Sequence, residues 1–271
     1  MQIIKVLDAG FDCVSLNEVL LVLKVGFTAD QIIYTPNNVN EDGYQEAIKY
    51  GVHVNVDNLH MLEYLAIKYP DYPLCIRFNP HITAGGNTKI SVGSIDSKFG
   101  ISIHQFPIVK RMISQLNIKV EGIHIHTGSE IADVDVYMRG AELVFGIAEQ
   151  IENLSYIDFG SGFKVPYKEN DCSTDLQKLG SLFSARFNEF CESYGRELTL
   201  RFEPGKYLVS DAGYFLTKVN VIKQTTACTF IGLNSGFNHL IRPMFYNAYH
   251  RVENVSNPKG DPKLYNVVGY I

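Results

Sequence analysis

Apolar and polar positions along the chain alternate between two periods. Seven short runs rich in β-branched and aromatic residues recur, over 11–15 (FDCVS), 31–35 (QIIYT), 52–57 (VHVNVD), 74–79 (LCIRFN), 120–126 (VEGIHIH), 155–160 (SYIDFG) and 198–204 (LTLRFEP). Most are nearly continuous in apolar residues, as parallel strands covered on both faces must be. Between them, 17–27, 41–51, 58–70, 104–117, 134–151 and 174–195 carry the 3.6-residue period of amphipathic helices. Ser15 and Glu18 stand at capping-box spacing before the first of these, and Gly51 and Pro70 close two others. Repeated strand-then-helix units predict an α/β fold around a parallel sheet. No GxGxxG follows the first strand, which favours a (β/α)8 TIM barrel over an open doubly wound sheet. Seven runs are one short of eight, so the expectation is a barrel whose first strand is missing from this chain. Past residue 210 strand-like runs follow one another without helices (YFLTKVNVIKQTT, CTFIGLNSGF, LYNVVGYI). They predict part of a second, antiparallel β domain. The expected division is an incomplete barrel over 1–212 and a truncated β domain over 213–271.

Composition narrows the function classes. The 271 residues carry 24 Lys+Arg against 29 Asp+Glu, a net charge of −5, and lack the basic clusters of a nucleic-acid binder. No apolar run approaches the roughly 18–20 residues that span a membrane, and the first residues do not have the form of a signal peptide. Cys13, Cys75, Cys172, Cys191 and Cys228 lie far apart with no CxxC pair. That usage fits reduced thiols and a cytoplasmic location.

In such a barrel chemistry sits at the C-terminal ends of the strands. Those ends hold Asp12, Asn37, Asp57, Arg77, Asn79, His124, His126, Asp158, Gly160 and Glu203. The long Gly-rich segment 80–100 is the kind of loop that borders an active site. His124 and His126 share one face of a strand. They can ligate a metal with a carboxylate, or be one packed and one working histidine. Thr127-Gly128-Ser129 after them offers N–H groups and a hydroxyl to an anion. Gly160-Ser161-Gly162 is a second glycine-rich strand exit, read either as a tight turn or as a phosphate site. Glu203 opens Glu203-Pro204-Gly205-Lys206. A carboxylate there needs a cation: Arg77, Arg201, or the protonated nitrogen of a bound ring. Arg242 and Tyr246 lie in the β region, where an Arg is either solvated or clamps a carboxylate.

Taken together, IHIHTGSEI (123–131), IDFGSGFKVPY (157–167), RFEPGKYLVSDAG (201–213), DSKFGI (96–101) and FNHLIRPMFYNAYH (237–250) resemble the fold-type III pyridoxal-phosphate decarboxylases. The likeness is greatest to the diaminopimelate decarboxylases and covers nearly the whole chain. It implies pyridoxal 5′-phosphate as cofactor, decarboxylation of meso-diaminopimelate to L-lysine, and a homodimer for the full-length enzyme. It also implies roles. His126 would stack on the pyridine ring and Glu203 would pair with the ring nitrogen. Ser129, Gly160, Ser161, Gly162 and Gly205 would hold the phosphate. Asp12 and Arg77 would lie near the ring hydroxyl and the imine. Lys206, Arg242 and Tyr246 would bind substrate.

The chain departs from the family pattern. Lys206 stands for an Arg and loses its bidentate fork. Ser161 stands for the middle glycine of a GGG. The family's Schiff-base lysine, in a stretch like Tyr-Ala-x-Lys, has no counterpart in the 271 residues, and neither has its Cys-Glu motif. The expectation is a chain missing both and inactive alone. The alternatives are an arginine or carboxynorspermidine decarboxylase, a non-catalytic relative, and a metal-dependent barrel hydrolase built on the HxH pair. No resident metal is expected.

Overall fold

The computed structural model describes residues 1–82 and 95–271, so residues 83–94 of the long 80–100 loop lie outside the described residues. The chain forms two compact units. One comprises Met1–Lys164 and Thr174–Tyr207, the other Val165–Ser173 and Leu208–Ile271.

The larger unit is a parallel sheet wrapped by helices. Its strands are β1 (Phe11–Cys13), β2 (Ile32–Tyr34), β3 (His53–Val56), β4 (Leu74–Asn79), β5 (Ile101–Ser102), β6 (Val120–Ile125), β7 (Tyr156–Asp158) and β8 (Thr199–Arg201). They pair in the order β1-β2-β3-β4-β6-β7-β8, with β5 also on β4. All seven expected runs contain a strand. The two-residue β5 is the addition, too short to show any alternation. No ladder joins β8 to β1 among the described residues. The connecting helices are α2 (Leu16–Val25), α3 (Glu41–Lys49), α4 (Leu59–Lys68), α5 (Phe106–Leu116), α6 (Val134–Ala148) and α7 (Leu176–Tyr194), after a short α1 (Gln2–Val6). The capping box expected at α2 is present, with Ser15 Oγ accepting from Glu18 N–H and Glu18 Oε2 accepting from Ser15 N–H.

The core explains the near-continuous apolar runs. Every residue of β4 is buried, and β6 is buried from Gly122 to Ile125. Outside the sheet an aromatic cluster joins α6 and α7 to β7. Phe145 stacks on Phe190 at 4.4 Å, and Phe159 meets Phe183 edge-on at 4.6 Å. Such pairs add about 0.5–1.5 kcal/mol each beyond their buried area. Phe159 immediately precedes Gly160, so this packing anchors the exit of β7.

The smaller unit holds β9 (Val219–Gln224), β10 (Thr229–Leu233), β11 (Asn266–Val268) and a short α9 (Arg242–Tyr246). β9 and β10 are antiparallel as expected, but β11 joins β10 in parallel, so this sheet is mixed. The reason is connection length. The turn after Gln224 allows only a hairpin, whereas the long segment after Leu233 can carry the chain back to run alongside β10.

Candidate active site

The two glycine-rich exits, from β6 and β7, are packed against each other. Gly160 has φ +60° and Gly162 φ +104°, the left-handed region. A Cβ on Gly160 would overlap His126 Nδ1, and one on Gly162 would overlap the Gly128 carbonyl oxygen. The missing side chains thus let the two backbones close on each other. Three contacts hold them there. Ser161 N–H donates to His126 Nδ1 at 3.2 Å, Ile131 N–H donates to Gly162 O at 2.9 Å, and Ile131 and Phe163 form a parallel bridge. Glu203 N–H donates to Gly160 O at 2.7 Å, which brings the β8 exit to the same place. Glu203 lies beyond β8, which ends at Arg201.

Beneath the exits, the strand register places Arg77, His124, Asp158 and Arg201 side by side on β4, β6, β7 and β8. Below them Tyr156 fills the space that Gly122 leaves, since a Cβ on Gly122 would overlap its ring. The Arg201 guanidinium lies 3.8 Å from the Tyr156 ring centre. Arg201 is therefore stacked within the barrel, and the cation that acts on Glu203 is Arg77. Arg77 is 8% exposed and sits 4.9 Å from the Phe99 ring.

His124 is 1% exposed. Its Nε2 lies 3.4 Å from Glu203 Oε2, and its Nδ1 lies 2.6 Å from Asn55 Nδ2. Asp158 Oδ1 accepts from Gly160 N–H at 2.8 Å. Burial pushes Glu203 up to about 7, against the pull of Arg77. Burial, then the nearby Glu203, pushes Asp158 up to about 7. Lost solvation and then Glu203 also raise Asp12, to about 7, although solvent reaches its side chain on the edge strand and screens the effect. The histidines move the other way. Burial takes His124 down to about 4, and burial followed by Arg77 takes His126 down to about 3. Both imidazoles are neutral at pH 7. Ser161 N–H occupies His126 Nδ1, so its ring proton is assigned to Nε2.

Most of the expected residues converge. Asp12, Arg77, His126, Gly160, Ser161, Gly162 and Glu203 meet at one end of the sheet, and Ser129 lies on the same exit as His126. Gly205 and Lys206 open α8 (Gly205–Val209), where Lys206 Nζ is 2.8 Å from Glu130 Oε1. Arg242 and Tyr246 belong to the smaller unit. There Arg242 lies 4.5 Å from the Tyr167 ring centre and bonds His250 Nε2 at 3.1 Å, and Tyr246 packs edge-on against Phe245. Sequence reasoning did not single out Asn55, Thr35 or Glu130. Asn55 left a faint signal, as a polar residue between two valines of β3. Among the described residues, the group close enough to share a metal ion is His124, Asp158 and Glu203, without the second histidine of the HxH pair.

The site's residue types fit a phosphorylated pyridine. Glu203 Oε1 and Thr127 Oγ1 are buried without a hydrogen-bond partner among the described residues. The glycine exits bring two backbones together with no side chain between them. The family described as "Pyridoxal-dependent decarboxylase, pyridoxal binding domain" matches residues 1–210. The diaminopimelate decarboxylase of Campylobacter jejuni is 31% identical over 284 residues, covering 100% of this chain and 68% of its own. The chain belongs to the diaminopimelate decarboxylase family. The diaminopimelate decarboxylase of Methanothermobacter thermautotrophicus is 35% identical over 269 residues, 97% of this chain, which spans 63% of that relative's length. The crystal structure of diaminopimelate decarboxylase from Helicobacter pylori complexed with L-lysine superposes with TM-score 0.85 at 26% identity, covering 99% of this chain and 68% of that one. The fold is thus the α/β barrel of this family. No described helix is long and apolar enough to cross a membrane.

Proposed function

We propose that the protein acts in pyridoxal 5′-phosphate-dependent decarboxylation of meso-diaminopimelate to L-lysine and CO2, in the cytoplasm and as a homodimer. The observation that carries this reading is the Glu203 carboxylate, buried with one oxygen unpartnered beside two interlocked glycine exits. A cofactor with a cationic ring nitrogen and an anionic phosphate answers both features. Ser129, the backbone of Gly160, Ser161 and Gly162, and Gly205 would hold the phosphate. His126 would lie against the ring, and its neutral state there avoids repelling a protonated ring. Asp12 and Arg77 would hold the polar substituents. When bound, the cofactor supplies the sink for the electron pair left as CO2 departs.

The chain's own residues make that sink effective. Glu203, as a carboxylate, would keep a proton on the ring nitrogen. Arg77 favours its ionised form. The buried rows beneath the exits exclude water and strengthen each charge interaction. Lys206, Arg242 and Tyr246 would serve the substrate's carboxylates, and the L-lysine complex of the Helicobacter pylori relative supports an amino-acid ligand.

Absorbance titration with pyridoxal 5′-phosphate tests the cofactor reading, and chromatography of the product formed from meso-diaminopimelate tests the substrate. Saturable binding is expected, with lysine as the product of turnover. Absence of binding by the folded protein rejects the cofactor reading, and a product other than lysine rejects meso-diaminopimelate as the substrate.

A further inference from the structure

We propose that Asn55 and His124 form a positioning pair that places a proton on His124 Nε2 and aims it at Glu203 Oε2. The inference deepens the function proposed above and rests on its reading of Glu203. Neither residue is a catalytic residue, because neither would touch cofactor or substrate. They would act through the carboxylate.

The geometry is a three-member line across the barrel interior. Asn55 on β3 presents Nδ2 to His124 Nδ1 at 2.6 Å, and His124 on β6 presents Nε2 to Glu203 Oε2 at 3.4 Å. With the Asn55 amide turned so that Nδ2 faces the ring and Oδ1 has no partner among the described residues, His124 Nδ1 accepts and the ring proton is assigned to Nε2. The same tautomer logic holds wherever one ring nitrogen's partner decides what the other can do. Both residues are 1% exposed, so water cannot take the place of either partner. Thr35 Oγ1 lies 3.4 Å from Asn55 Nδ2 and helps hold the amide. In the opposite tautomer a lone pair would face the Glu203 carboxylate, and the carboxylate would escape the repulsion by taking up a proton. A protonated Glu203 could not stabilise a cationic ring nitrogen.

Glu203 faces other groups as well. Arg77 on β4 favours its charge, while Asp158 on β7 and Asp12 on β1 oppose it. The mouth is therefore rich in carboxyls, and one directed N–H donor weighs on which of them stays ionised. His124 stays neutral under burial, so its Nε2, which lies 3.4 Å from Glu203 Oε2 and has no hydrogen-bond partner among the described residues, is available as a donor rather than as a second cation. A hydrogen bond to the charged form of a carboxyl favours that form.

Nitrogen NMR of histidine-labelled, cofactor-free protein reads the tautomer without any variant. His124 is expected with Nε2 protonated and Nδ1 bare near neutral pH. Asn55→Asp, whose carboxylate accepts rather than donates, is expected to move the proton to Nδ1. Asn55→Leu is neutral and can do neither. It is expected to raise the midpoint of the Glu203 carboxyl, followed by carbon NMR and assigned with Glu203→Gln, by about one pH unit. A merely structural contact would lower stability without moving tautomer or midpoint. Wild-type His124 carrying its proton on Nδ1 overturns the proposal, and so does a Glu203 midpoint unchanged in folded Asn55→Leu. Should both variants fail to fold, the wild-type tautomer still decides. Pyridoxal phosphate titration of the wild type is the separate arm. If His124 has the stated tautomer and the cofactor does not bind, the cofactor reading falls and the proton arrangement stands.

Discussion

The mouth of the barrel unit and the Arg242 turn of the smaller unit are built in opposite ways. In the barrel, polar groups from five strands are buried against one another, and the backbones that frame them close to distances only glycine allows. His124, Asp158 and Arg77 are 1%, 2% and 8% exposed. In the smaller unit β9 is exposed along its whole length, and Arg242 rests on Tyr167 and His250 within that unit. The barrel mouth is pre-organised at a cost in desolvation, visible as carboxyls displaced upward and imidazoles displaced downward. The Arg242 turn is a partly solvated contact. Changes of equal chemical size should therefore have unequal consequences in the two regions.

The largest contrast is between two glycines. Gly162→Ala meets both a positive φ and a Cβ 2.2 Å from the Gly128 oxygen, whereas nothing lies within 4 Å of a Cβ on Gly213. Denaturant unfolding should show a loss of about 3 kcal/mol or more for Gly162→Ala, against less than about 0.5 kcal/mol for Gly213→Ala. Equal losses would break the contrast.

Proton uptake gives the next effect. Glu203 is raised from 4.5 to about 7 and Asp158 from 3.8 to about 7, so the folded chain keeps protons that the unfolded chain releases. Their contribution is fully present below about pH 4 and is lost as pH rises through 7. His124 and His126, lowered from 6.5 to about 4 and about 3, act in reverse, and their contribution is lost as pH falls through those values. The two pairs oppose each other, which keeps the wild-type curve shallow. Glu203→Gln removes one of the raised carboxyls. Its stability relative to wild type should rise by roughly 1–3 kcal/mol between pH 4.5 and pH 7. A pH-independent difference would contradict the burial argument.

The smallest contrast concerns helix starts. Ser15 caps α2 with its own side chain, while α9 begins after Ile241 with no side-chain cap. Ser15→Ala should cost about 1 kcal/mol in thermal or denaturant unfolding. Ile241→Ala should cost less than about 0.5 kcal/mol.

Much of the barrel was legible because burial on both faces leaves little choice but continuous apolar strands. The site was legible where chemistry coincides with a strand end, as at His126, Gly160 and Glu203. Asn55 was not, because its partner His124 is 69 residues away and no local pattern announces a contact across a barrel. Lys206 was legible as a cation, but Glu130, which meets it, lies 76 residues off. The parallel pairing of β11 was hidden for a similar reason, since strand direction depends on the path of a long connection. Two-residue β5 carries too little pattern to be read at all.

Glu203 and the interlocked glycine exits are proposed to make a cradle for pyridoxal phosphate. The decisive measurement is absorbance titration of wild type, Glu203→Gln and Arg242→Ala with the cofactor. Wild type and Arg242→Ala should saturate at similar concentrations, as expected for a residue proposed to serve substrate, and Glu203→Gln should bind at least about tenfold more weakly, the equivalent of roughly 1.4 kcal/mol. Equal binding by wild type and Glu203→Gln, or no saturable binding by the folded wild type, would contradict it.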